Sequence, residues 1–399
     1  MLYNVSLNHS FENHTIMNNQ NLEINYFSSS NTTSFEAAVL DIIHQLDFED
    51  RVAIRFVFFG SSNNNRQYNK ELSAIQQHVY EKFGDEAPVI SYVAQKPLSN
   101  VTLVLEVHSI LLSADRQIRF AQCNNIRYIT IEDEKSKNLS IGGVVADDFN
   151  KTVFNQSSEI FDTIKKILLQ EEMPVQSIVR QWNYIAQITC VMHERQYYQE
   201  FNDARSYFYN QTNWASGYPA ATGIGTESGG VVVDLFAVKS KTDDVQIFAL
   251  DNKLQIAAHA YSQNVLVGQD DKELKTKTTP KFERGKVVNT QNSALIYISG
   301  TAAIRGEGSL AETDIEQQTI ITLENIEELI STSNLTSAGV KIKDVAKVKC
   351  LRIYLKQADF YQVAKMVVDK MLPNVPAVYL LGDICRDNLL IEIEGIAVS

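Results

Sequence analysis

The sequence predicts an α+β protein built from three tandem units. Each unit is a mixed sheet with two helices on one face, and together they make a pseudo-trimer. Three observations carry this. The chain has 399 residues, long for one continuous core. The order helix, strand, helix, strand, strand recurs three times, in element order and not in residue identity. A proline precedes the fourth element of each round, at Pro88, Pro219 and Pro376, and its fixed φ sets an extended entry to a strand. The units are placed at 1–110, 111–240 and 241–399. Two unrelated α/β domains are the competing reading.

In the first unit, strand-like segments at 2–7 and 22–27 lead an amphipathic helix at 35–46. The run RVAIRFVFF (51–59) is a strand, 67–83 a helix, and 89–93 and 101–107 are strands. In the second, leaders at 126–131 and 139–145 precede a helix at 158–169, with Ile160, Ile164, Ile167 and Leu168 on one face. A strand at 175–189, a helix at 195–209 and strands at 220–224 and 230–238 follow. In the third, leaders at 245–250 and 294–304 flank a polar, lysine-rich stretch, 270–292, expected to be a surface excursion. Helical spacing at 314–330 rests on Ile315, Leu323, Ile326 and Ile330. The alternating KVKCLRIYL (347–355) is a strand, 360–371 a helix, and 377–381 and 389–398 are closing strands joined by GDICRDN.

Composition narrows the function. Apolar residues make up 44% and charged residues 21%, which is globular. The longest uncharged apolar stretch, 294–304, is too short to cross a bilayer. The first residues, MLYNVSLNHS, show no basic region leading an apolar segment, so a cytoplasmic protein without a signal peptide is expected. The net charge is −12, which disfavours nucleic acid or an anionic membrane as partner. Cys123, Cys190, Cys350 and Cys385 lie far apart and read as reduced thiols. All seven histidines precede residue 260 and none has HxH or HxxxH spacing, so no metal site is expected.

Two motifs invite chemistry. Gly223-Ile-Gly225-Thr-Glu-Ser-Gly229-Gly230 imitates a dinucleotide loop, but a strand and no helix follows it. A tight turn between strands remains, or a nest of amides for a carboxylate. In LLIEIEGIAV, Glu392 and Glu394 fall on one face of a strand. They are either the solvated face of an edge strand or hold one acid in a cleft with a raised pKa. Arg205, Arg284, Arg305, Lys356 and Arg386 could clamp an anion. Chemistry alone does not choose among them.

The third unit, through ALIYISGTAAI, DIEQQTIITLENI and LLIEIEGIAV, resembles the Rid/YjgF family, a chorismate-mutase-like fold. Its simple members are trimers with sites in the clefts between subunits. Six ordered blocks resemble the chorismatase family more narrowly: VRQWNYI (179–185), FNDAR (201–205), PAATGIG (219–225), PKFERG (280–285), ISGTAAI (298–304) and DICRDNLLIEIEG (383–395).

That resemblance implies cleavage of the enolpyruvyl group of chorismate, releasing pyruvate, with no metal or organic cofactor. It implies that Glu392 protonates the enol ether methylene and that Cys385 selects 3-hydroxybenzoate as product, a smaller residue giving a dihydroxycyclohexadiene carboxylate. Chorismate is a dianion, and Arg205 and Arg284, in matched blocks, are the expected anchors. Tyr354 and Lys356 stand where the family pattern ends in Tyr-x-Arg. Thr222, Gly223, Ser299 and Gly300 are expected to offer hydrogen bonds, and Tyr184 to line the ring.

This chain departs from the pattern with Gly306-Glu307 in place of Gly-His, and with Tyr197-Tyr198 in place of Arg-Tyr. The arginine that simple Rid deaminases carry is Val378 in the third unit and Ala221 in the second, which argues against imine deamination. Expected partners are the small substrate alone, in a pseudo-threefold monomer or a homotrimer, with the first unit structural. A chorismatase with another product, such as 4-hydroxybenzoate, and a non-catalytic binder of a small acid are the alternatives.

Overall fold

The computed structural model describes residues 22–30, 34–192, 194–267, 276–291, 293–310 and 312–399. The strand expected at 2–7, and His9, His14 and His193, lie outside the described residues.

The first sheet is formed by β1 (Leu22–Ser28), β2 (Arg51–Gly60), β3 (Val89–Ala94) and β4 (Leu103–Leu111), in the order β1-β4-β2-β3. Helices α1 (Phe35–Gln45) and α2 (Asn65–Phe83) pack together over it. Next come β5 (Gln117–Cys123), β6 (Ile126–Glu132), β7 (Ser136–Val145), α3 (Val153–Gln170) and β8 (Ile178–Ala186). A small hairpin of β9 (Val191–Met192) and β10 (Arg195–Gln196) leads into α4 (Tyr197–Tyr209), β11 (Ala220–Thr226) and β12 (Val231–Ser240). The second sheet runs β11-β8-β12-β7-β6-β5.

The last stretch contains β13 (Val245–Leu250), β14 (Gly285–Thr290) and β15 (Ala294–Ala302), then a second hairpin, β16 (Ile304–Arg305) with β17 (Gly308–Ser309). It continues through α5 (Ile315–Leu329), α6 (Thr332–Ser337), β18 (Lys347–Leu355), α7 (Tyr361–Met371), β19 (Ala377–Leu381) and β20 (Ile391–Val398). The third sheet runs β13-β14-β15-β20-β18-β19.

One arrangement recurs in all three sheets. A helix joins two parallel neighbours, β2–β3, β8–β11 and β18–β19, and the next strand returns antiparallel on the other side. The three prolines stand immediately before β3, β11 and β19. The helices start where polar caps allow: Ser34, Asn64, Thr152 and Asp314 each accept an amide hydrogen bond of the first turn.

One expectation needs correction, and one strand was not foreseen. The excursion expected at 270–292 contains β14, a buried strand between β13 and β15. Its lysine misleads: Lys286 is buried, and its Nζ donates to the carbonyls of Ser216, Gly217 and Tyr218, which offsets the cost of burying an ammonium. Strand β5 went unread because it is an edge strand with little apolar burial. Among the described residues no helix is long and apolar enough to cross a membrane.

Strand periodicity then places chemistry in the interior. On β20, Ile391 and Ile393 join the core beneath the helices, so Glu392 and Glu394 face the other way. β20 lies between β15 and β18, so this is no edge strand. The inward faces of the sheets meet around three arginine–acid pairs: Arg55–Asp234, Arg180–Glu394 and Arg352–Glu106. Each arginine comes from β2, β8 or β18 and each acid from β4, β12 or β20, always of a different sheet. The Trp182 indole sits among them, with the guanidinium carbons at 4.0, 4.7 and 5.4 Å from a ring centroid.

Candidate active site

Where β11 packs along β15, the second and third sheets leave a cleft of about 810 Å³, counting its open mouth. That is the size of a small-ligand site. Its walls are α4 (Tyr198, Asn202, Arg205), β11 (Gly223), β15 (Gly300), the chain between β13 and β14 (Tyr261, Phe282), Arg284, and β20 (Glu392). Cys385 and Arg386 complete it.

Glu392 is buried, paired in register with Ala302 on β15 and Tyr354 on β18. Burial, with the nearby negative charge of Glu394, lifts its pKa to about 8, against the opposing pull of Arg180 and Arg284. At neutral pH this carboxyl holds a proton it can give away. Glu394, two residues on, has the opposite surroundings: Arg180, Arg352, the Thr222 hydroxyl and the Tyr354 hydroxyl converge on it. Two acids on one strand face thus have different charge environments, set by their neighbours.

Opposite the acid stand two buried arginines. Arg205 donates from Nη2 to Asn202 Oδ1 (2.6 Å), and Arg284 from Nη2 to the Ile256 carbonyl and the Tyr261 hydroxyl (both 2.6 Å). Among the described residues the Nε of each is a buried donor without a partner. Unpaired buried guanidinium donors are costly, and an anion in the cleft would satisfy them. Burial pushes the Cys385 thiol up to about 12, helped by the charge of Glu392. It stands on the cleft wall as a neutral thiol.

Glycine is required at two wall positions. A Cβ on Gly300 would collide with the Glu392 carboxyl, and one on Gly223 would sit 2.9 Å from the Tyr198 ring. Gly300→Ala is therefore expected to displace the acid and lower kcat about a hundredfold. Unchanged kinetics in a folded Gly300→Ala protein would show that the acid has no fixed place there.

Of the residues singled out in the sequence, the fold brings Glu392, Cys385, Arg205, Arg284, Gly223 and Gly300 to the cleft. It puts five others elsewhere. Tyr184 and Tyr354 are buried at the centre, bonded to Arg352 and Glu394. Thr222 binds Glu394 and accepts the Gly300 amide. The Ser299 hydroxyl donates to the Glu283 carbonyl and accepts the Ala221 amide. Lys356 faces Asp383 and Asp387. Nor is there a nest at Gly223: it lies within β11, and the Gly225 amide donates to the Asp383 carbonyl. Arg305, one of the five candidate cations, pairs with Glu324 and Asn325.

The family profile described as "Chorismatase FkbO/Hyg5-like, N-terminal" matches residues 112–237, and that described as "Endoribonuclease L-PSP" matches 281–399. Residues 112–237 thus match the chorismatase FkbO/Hyg5-like family, and residues 281–399 match a Rid/L-PSP (YjgF) domain. A 3-hydroxybenzoate synthase of Streptomyces hygroscopicus is 28% identical over 58% of this chain and 66% of its own length. A chorismatase of the same organism is 28% identical over 55% of this chain and 60% of its own. The chain thus spans two thirds or less of the curated relatives it matches. A chorismatase crystal structure shares the fold, with a TM-score of 0.69 at 17% identity, over 94% of this chain and 98% of that one.

Within this family frame, sequence reasoning missed Tyr261 and Asn202, and left Arg386 unchosen among the five cations. Tyr261 sits between the strand read at 245–250 and the polar excursion read at 270–292, in a stretch to which the sequence reading assigned no element. The signal was there: Ala258, Tyr261, Val265, Leu266 and Phe282 are apolar residues scattered through it, and they pack on one another.

Proposed function

We propose that this chain is a chorismatase that converts chorismate to 3-hydroxybenzoate and pyruvate. The observation that carries the reading is the convergence in one cleft of a buried carboxyl with its pKa raised to about 8 and two buried arginines with unpaired Nε donors. A dianionic enol ether needs these parts: cations for its carboxylates and an acid for its methylene.

Glu392 gives its proton to the terminal methylene carbon of the enolpyruvyl group. The adjoining carbon becomes an oxocarbenium centre, and the negative charge of Glu392 and Glu394 stabilises it. Attack by a hydroxyl and collapse break the ether and release pyruvate. Forming 3-hydroxybenzoate consumes no net water, whereas hydrolysis to a dihydroxycyclohexadiene carboxylate consumes one. Cys385, a neutral thiol on the cleft wall, is read as the group that keeps that water out.

The three-sheet pattern is read as three tandem Rid-like units, divided near 110 and 240, the first structural and the last carrying the acid. The cyclic exchange of arginine–acid pairs between sheets supports that reading, and a monomer with pseudo-threefold symmetry suits it.

The test is incubation of the purified protein with chorismate, without cofactor, with products resolved by mass. Pyruvate with 3-hydroxybenzoate is expected. Cys385→Ala is expected to divert the product toward the dihydroxycyclohexadiene carboxylate with pyruvate release retained. An unchanged product ratio would remove Cys385 from that role. No turnover at all would leave a non-catalytic binder of a small acid.

A further inference from the structure

The chain between β13 and β14 crosses the cleft, and its small core of Ala258, Tyr261 and Leu266 is too slight to hold it in place alone. Two anchors on the β16–β17 hairpin fix it. Gly306 exchanges backbone hydrogen bonds with Leu254 and Ile256 (2.9 and 2.8 Å). Beyond it, the Glu307 carboxylate accepts the Ser262 amide at Oε2 (2.8 Å) and the Ser262 hydroxyl at Oε1 (2.7 Å). Both carboxylate oxygens are spent on one residue of the crossing strap.

The neighbour of Ser262 is Tyr261. Two guanidinium groups approach its ring, with Arg386 Cζ at 5.1 Å and Arg284 Cζ at 5.5 Å from the centroid. Its hydroxyl accepts from Arg284 (2.6 Å). Arg386 is held in turn by the Glu307 carbonyl (2.8 Å) and the Ser309 hydroxyl (3.0 Å). Glu307 therefore grips both sides of the arrangement: its side chain seats the strap that carries Tyr261, and its backbone seats Arg386.

We propose that Glu307 is a positioning residue which, through Ser262 and Tyr261, sets the separation of Arg284 and Arg386 as a two-point clamp for a dicarboxylate. The inference rests on the reading of the cleft as a chorismate site. It gives a physical role to a residue at which this chain departs from its family's Gly-His pattern. It also adds Arg386 to Arg205 and Arg284 as a cation of the cleft.

The experiment compares wild type, Glu307→Ala, Glu307→Gln and Tyr261→Phe by chorismate kinetics and by amide hydrogen exchange. Loss of the Glu307 hydrogen bonds is expected to raise KM about tenfold or more while kcat moves little, since hydrogen bonds to a charged group are worth about 1.5–3 kcal/mol. Exchange at 254–267 should accelerate, with β15 and β20 unaffected. Glu307→Gln, which keeps one oxygen acceptor, should recover part of both effects. Tyr261→Phe, which keeps the ring, should raise KM with the strap still protected. Glu307→Ala with wild-type KM, or with unchanged strap exchange, would overturn the proposal. Inactive wild-type protein would sink the chorismatase reading and with it the clamp's substrate, while strap exchange would still decide whether Glu307 is a latch.

Discussion

Glu392→Gln is expected to lower kcat by about 10²–10⁴-fold, the usual worth of a general acid, while the protein melts at a higher temperature than wild type. The two effects share one cause. An amide cannot deliver a proton to the methylene carbon, so turnover falls. The carboxyl is buried, with its pKa raised to about 8. For a raised carboxyl, stability is greatest below the ordinary carboxylate range, declines as pH rises from there toward about 8, and is level above it. At pH 7 the wild type therefore bears a cost of a few kcal/mol that a neutral amide avoids. Stability given up at a reacting group is a familiar trade in active sites. The kcat/KM of wild type should be flat below about pH 8 and fall above it, as the acid loses its proton. A variant that melts lower and keeps its rate would remove Glu392 from catalysis.

How much of this was legible in the sequence follows from what each residue touches. Glu392 could be read because strand alternation is local and the IEIE pattern announces two acids on one face. Which of the two would be the acid could not be read by pattern alone. The difference lies in Arg180 and Arg352, 214 and 42 residues from Glu394 in the chain. The central pairs were invisible for the same reason: Arg55 and Asp234 lie 179 residues apart, and a lone arginine in RVAIRFVFF looks like one polar face of a strand. Tyr354 and Lys356 illustrate the converse error. They follow one another with a gap of one at the end of the strand read at 347–355, so a shared role seems natural. Yet β18 ends at Leu355, and beyond that end the lysine turns to the acids of the 383–387 loop.

Arg352→Met is expected to cost about 3–5 kcal/mol of stability, the second large effect, without altering the product. Arg352 donates to both oxygens of Glu106, to the Tyr184 hydroxyl and to Glu394. Methionine fills much of the same volume but leaves Glu106 buried with Arg55 at 3.6 Å and the His108 ring as its remaining partners. His108 is a poor substitute, because burial lowers its pKa to about 4 and it is neutral at pH 7. Burial alone would raise the Glu106 carboxyl, but Arg352 more than offsets it and holds the group well below the usual carboxylate range. The stability this contributes is present above the ordinary carboxylate pKa and is lost only as pH falls through the lowered one. The stability gap between wild type and Arg352→Met should therefore be widest near pH 7 and narrow as pH falls, a trend that urea midpoints measured from pH 7 down to pH 4 would expose. On the three-unit reading, Arg55→Met should lose a comparable amount, since its pair with Asp234 is the same interaction one step around the ring. Equal midpoints for Arg352→Met and wild type would mean that apolar packing around Trp182, and not the ion pairs, holds the three sheets together.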